Sequence, residues 1–133
     1  QIEAVFSLGV SLGRAFQIKD DILGIFGDER AIGKSTLTDL QESKKTILVW
    51  KAFRRGNGRQ KQLIKRIMAK PDVKRSDLAQ MRRVIEETGS LSYARNEVMR
   101  LCAVARQQIS SCGMRPASRQ ELLSYVRSIL SLE

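Results

Sequence analysis

The sequence predicts an all-α fold, on three observations. Apolar residues recur every three or four positions along most of the chain. Glycine and proline fall in the gaps between those runs. No alternating apolar and polar run bounded by hairpin turns interrupts them. At 133 residues the chain supports one compact domain with one core.

Val5, Leu8, Leu12, Ala15, Ile22 and Leu23 form an apolar stripe on a first helix that ends near Leu23, where Gly24 and Gly27 favour a stop. Thr38 or Asp39 can cap a second helix, with Leu40, Ile47, Leu48 and Ala52 inward and Gly56 near its end. Asn57 and Gly58 then make a turn. A shorter helix over 59–69 carries Leu63, Ile64, Ile67 and Met68, and Pro71 follows it. Ser76 is the expected N-cap of the next, with Leu78, Met81, Val84 and Ile85 inward before Gly89. The longest late helix spans about 91–110, because Ala94, Val98, Leu101, Ala105 and Ile109 keep the helical spacing. Gly113 and Pro116 close it, and Ser118 to Glu121 fits a capping box opening a final helix with Leu122, Leu123, Val126, Ile129 and Leu130 on one side.

Composition narrows the function classes. The apolar runs are short and interrupted by charge, which argues against a membrane-spanning helix, and the first residues lack the pattern of a secretion signal; a cytoplasmic setting is the expectation. Cys102 and Cys112 stand ten residues apart in a chain without histidine, so they read as thiols rather than zinc ligands. The net charge of +10 is concentrated between Lys51 and Arg83, where twelve Lys and Arg face only Asp72 and Asp77. Such a stretch could serve nucleic acid or an acidic membrane surface. With Phe53 as its one aromatic residue it lacks the equipment for base stacking, and a solvated helix face is the favoured reading.

Chemistry concentrates in Phe16-Gln17-Ile18-Lys19-Asp20-Asp21-Ile22-Leu23-Gly24, followed by Gly27-Asp28-Glu29, Gly33-Lys34, Asp39 and Lys44-Lys45-Thr46. Magnesium prefers hard oxygen ligands, usually one or two carboxylates completed by water and phosphate oxygens, and the Asp20-Asp21 pair suits it. Lysines at spaced positions neutralise phosphate charge that the metal leaves uncovered. On a helix, Gln17 lies three residues from Asp20 and four from Asp21, so geometry permits one shared site. Taken alone, an Asp-Asp pair or a lone lysine is more often solvated surface; the joint spacing raises the functional reading above that.

The order and spacing of these residues resemble the trans-isoprenyl diphosphate synthases, or polyprenyl synthetases, around their second aspartate-rich motif. Residues 88–95, Thr-Gly-Ser-Leu-Ser-Tyr-Ala-Arg, resemble that family's later Gly-x-x-x-Tyr-[Ala/Thr]-Arg segment. The resemblance implies an isoprenoid synthase fold, a magnesium cofactor, allylic diphosphate and isopentenyl diphosphate as substrates, and a homodimer without nucleic acid. Family members carry a first aspartate-rich motif upstream, which this sequence lacks, so the chain is expected to be the C-terminal part of a synthase and inactive alone.

Roles carry over by position. Asp20 and Asp21 match metal-binding aspartates, Gln17 a glutamine of the allylic pocket, and Phe16 an aromatic residue near the reacting substrates. Lys34 and Lys44 match lysines that grip the allylic diphosphate, and Asp39 an acidic residue near the metals. Gln17 and Lys34 are the expected catalytic residues; Lys19 is expected to face solvent. One departure stands out: where the common pattern Asp-Asp-x-x-Asp places a third carboxylate, this chain has Gly24, with Asp28 as one possible substitute. The implied reaction ionises the allylic diphosphate to a cation that the isopentenyl double bond attacks, so a geranylgeranyl, farnesyl or longer polyprenyl product is expected. Two alternatives are a non-catalytic subunit that pairs with a catalytic one, and a basic helical module that binds nucleic acid.

Overall fold

The computed structural model describes residues 1–33 and 35–131. Among these, eight helices and no strand occur: α1 (Ile2–Phe26), α2 (Glu29–Ile32), α3 (Leu37–Gln41), α4 (Ile47–Arg55), α5 (Gly58–Met68), α6 (Arg75–Glu87), α7 (Ser90–Ser111) and α8 (Pro116–Leu130). The all-α expectation holds. Contacts divide the chain into two compact units, one uniting Gln1–Lys19 with the chain from Arg95 through α8, the other Asp20–Ala94.

In the first unit, Leu8, Leu12 and Ala15 of α1, Val98, Leu101, Ala105 and Ile109 of α7, and Val126 and Ile129 of α8 are buried, as helical spacing requires. Val5 is exposed instead of buried, because at 3.6 residues per turn it falls at the rim of the arc centred on Leu8, Ala15 and Ile22. Lys19, expected in solvent, is half-buried and donates from Nζ to the Ser128 carbonyl, 2.5 Å away. Cys102 is a free, buried thiol, and burial pushes its pKa up. The final helix begins at Pro116 rather than at a Ser118 cap. A fixed φ and a missing N–H suit proline to the first helical position, so Pro116 opens α8 instead of closing α7.

In the second unit, α4, α5 and α6 pack together around Leu48, Ala52, Ile67, Met81 and Ile85, all fully buried. The single helix expected from Thr38 to Gly56 is two. Ser43 adopts a left-handed φ of 53°, which ends α3, and Thr46 caps α4 by accepting from the Val49 N–H at 3.3 Å. Asn57 does more than turn the chain: it forms a reciprocal capping box with Gln60 that starts α5. Helix α6 starts at Arg75, ahead of the expected Ser76 cap. The buried Asp77 carboxylate reaches back to the Lys74 N–H (2.9 Å) and is held by Lys70 Nζ at 2.6 Å.

Candidate active site

Asp20 and Asp21 lie on the last turns of α1, both half-buried, beside the buried Ile22 and Ile25 that fix the helix end in the second unit. The helix runs past the expected stop at Leu23 because Arg82 of α6 supports its end. Arg82 Nε donates to the Ile25 carbonyl at 2.6 Å, and the guanidinium lies 5.9 Å from the Phe26 ring centroid. Gly27 then terminates it: its N–H donates to Leu23 O at 2.9 Å, and a Cβ there would stand 2.5 Å from that backbone oxygen.

Gly24 fills a different role. A Cβ built on it would lie 1.9 Å from Asp39 Oδ2 and 2.7 Å from Asp39 Cγ, so α3 approaches α1 this closely only because position 24 has no side chain. The Asp39 carboxylate occupies the space where an aspartate at 24 would begin. Asp28, the other candidate substitute, is exposed and employed elsewhere: its Oδ1 accepts from the Arg30 N–H at 3.0 Å and caps α2.

Lys44 follows from the turn at Ser43. Its N–H donates to the Asp39 carbonyl (3.3 Å), and its Nζ donates to Asp39 Oδ1 at 3.0 Å and lies 3.6 Å from Glu42 Oε2. The hydrogen bond to Asp39 and then its charge raise the Lys44 pKa, with Glu42 and Asp20 adding to the effect. The second unit thus brings Asp20, Gly24, Asp39 and Lys44 into one neighbourhood. Phe16 and Gln17 are exposed on the part of α1 that belongs to the first unit. Lys45 is exposed, and Lys34 lies outside the described residues.

Among the described residues, no three His, Cys, Asp or Glu side chains gather into a ready-made metal cage. The donor chemistry nevertheless fits magnesium, which needs one or two carboxylates and takes its remaining ligands from water and phosphate. Sequence reasoning left Glu29 and Arg75 without a role; the structure joins them through a two-pronged ion pair next to this site.

The chain is all-helical among the described residues, with tandem aspartates at a helix end and a lysine-carboxylate pair in the same unit, and solved isoprenoid synthases have the same all-α fold. A crystal structure of geranylgeranyl pyrophosphate synthase from Corynebacterium glutamicum, complexed with isoprenyl diphosphate and magnesium, shares it with a TM-score of 0.90 at 24% identity, over 99% of this chain and 38% of that one. The family model for polyprenyl synthetase matches residues 1–87. The chain belongs to the polyprenyl synthetase family.

Among its curated relatives, a geranylgeranyl diphosphate synthase of Saccharolobus solfataricus is 30% identical over 94% of this chain and 37% of its own length. A geranylfarnesyl diphosphate synthase of Aeropyrum pernix is 34% identical over 88% of this chain and 36% of its own. The chain therefore spans little more than a third of the length of these relatives. No helix among the described residues is long and apolar enough to cross a membrane.

Proposed function

We propose that this chain supplies the second aspartate-rich wall of a magnesium-dependent trans-prenyltransferase, which condenses an allylic diphosphate with isopentenyl diphosphate. The observation that carries the reading is the approach of Asp39 to Gly24, which sets an Asp39–Lys44 ion pair beside the tandem aspartates. Its relatives' names and the magnesium and isoprenyl diphosphate of the Corynebacterium structure support it.

In this reading Asp20 and Asp21 hold the metal. Bound magnesium supplies electrostatic stabilisation to a departing diphosphate. Lys44, together with Lys34, binds the allylic diphosphate and neutralises the charge that builds as its carbon–oxygen bond breaks. Gln17 and Phe16, one turn before Asp20 in sequence, line the allylic substrate. The isopentenyl double bond attacks the allylic carbon and a proton leaves to the diphosphate, so the chain's lack of histidine is no obstacle. A homodimer in the cytoplasm is part of the same reading.

Equilibrium binding of farnesyl diphosphate, with and without magnesium, tests it on protein expressed from the complete gene. Lys44→Ala removes a charge-assisted contact and should weaken binding about tenfold or more. Magnesium-independent binding, or unchanged affinity in Lys44→Ala, would count against it.

A further inference from the structure

One carboxylate that the mechanism does not use ties three helices together. Glu29, the first residue of α2, accepts at Oε1 from the Thr36 N–H (2.9 Å), the Thr36 hydroxyl (2.7 Å) and Arg75 Nη1 (2.8 Å), and at Oε2 from Arg75 Nη2 (3.1 Å). The Ser35 hydroxyl lies 3.5 Å from the same Oε1. Arg75 is the first residue of α6. Thr36 is fully buried at the N-cap of α3, and its side chain makes no cap bond because the hydroxyl goes to Glu29.

An isolated surface ion pair contributes little, since solvent screens it and two long side chains must be ordered. This cluster differs in kind. The guanidinium meets the carboxylate on two prongs, which fixes direction as well as distance, and the same carboxylate holds a buried backbone N–H. Its effect is therefore geometric: it sets where α3 begins. Asp39 is the third residue of α3, packed against Gly24 and ion-paired to Lys44, so a displaced α3 start moves that pair.

We propose that Glu29 and Arg75 are positioning residues for the allylic diphosphate site: by pinning Thr36 they hold α3 so that Asp39 and Lys44 stand ready for the diphosphate. This rests on the reading given under Proposed function.

Steady-state kinetics on protein expressed from the complete gene test it, with farnesyl diphosphate and isopentenyl diphosphate varied separately. Glu29→Gln keeps the shape and loses the charge; it should raise KM for farnesyl diphosphate about tenfold, the scale of one charge-assisted contact, while KM for isopentenyl diphosphate stays within about twofold. Arg75→Gln, at the exposed start of α6, should do the same and serves if Glu29→Gln does not fold. The double variant should lose no more than either single one, because both changes break one link. An unmoved farnesyl diphosphate KM overturns the inference, and so does an equal rise for both substrates, which marks a merely structural role. An inactive wild type overturns the underlying reading and this inference with it; an active wild type with unaffected variants overturns this inference alone.

Discussion

Gly24 and Glu29 show how single residues settle the site. In a helix interior, glycine to alanine ordinarily gains about 1 kcal/mol from helix propensity, an upper bound for Gly24 in the last turn of α1. Overpacking a filled site costs about 1–3 kcal/mol, and here the added carbon would meet Asp39 Oδ2 at 1.9 Å. Asp39 is only 2% exposed and tied to Lys44, so it has little room to yield and the clash wins. Gly24→Ala should therefore lower stability in urea unfolding, and Gly24→Asp, which restores the common third aspartate, should lower it more. A gain in stability from either would contradict the close approach. Glu29 makes a pH prediction. Hydrogen bonds from Arg75, then from Thr36, lower its pKa from 4.5 to about 2. A depressed folded-state pKa means that its contribution is complete above 4.5 and is lost as pH falls toward 2. The stability gap between wild type and Glu29→Gln should thus hold at neutral pH and close across that acidic window.

Helix by helix, what the sequence could reveal was decided by whether the signal is local. The long periodic stretch of α7 was legible to within a residue, and α8 in its extent though not its start, because a 3.6-residue spacing of apolar side chains is written along the chain. Helix ends elsewhere were less so. Asp77 shows why: read along the chain it is one acid in the first turn after a serine, yet in the fold it caps α6 and pairs with Lys70. Asp77→Ala should lower stability through the lost bond to the Lys74 N–H and the lost pairing with Lys70, whereas Ser76→Ala should be nearly neutral; thermal unfolding of the two variants decides between them. The break at Ser43 was hidden because a left-handed serine has no sequence signature comparable to glycine. The proposed roles of Asp20, Asp21 and Lys44 come from residue type, spacing and the family resemblance, all of which are written along the chain. The Glu29–Arg75 pair and the Asp39–Gly24 contact were not, since each joins separate helices and depends on how they pack.

Over the whole molecule, the charge of +10 is the dominant global property, and folding adds to it what composition left out. The basic segment contains only Phe53, but the fold sets Trp50 and Tyr93 beside it: Lys51 Nζ lies 4.1 Å from the Tyr93 centroid, Arg54 5.1 Å from that of Trp50, and Lys65 5.6 Å from that of Phe53. These ring faces are engaged by the chain's own cations, and base stacking would have to displace them. Filter binding of single-stranded DNA across a salt series should accordingly show no binding that survives at physiological ionic strength; tight binding there would point to a nucleic-acid role instead. The central claim concerns the tandem aspartates. Its most direct measurement is incorporation of isopentenyl diphosphate into chain-extended product by protein expressed from the complete gene, in magnesium, comparing wild type with Asp20→Ala and Asp28→Ala. If Asp20 holds the metal while Asp28 only caps α2, Asp20→Ala should lose about a thousandfold or more in kcat/KM and Asp28→Ala less than about tenfold; equal losses, or an active Asp20→Ala variant, would contradict the account.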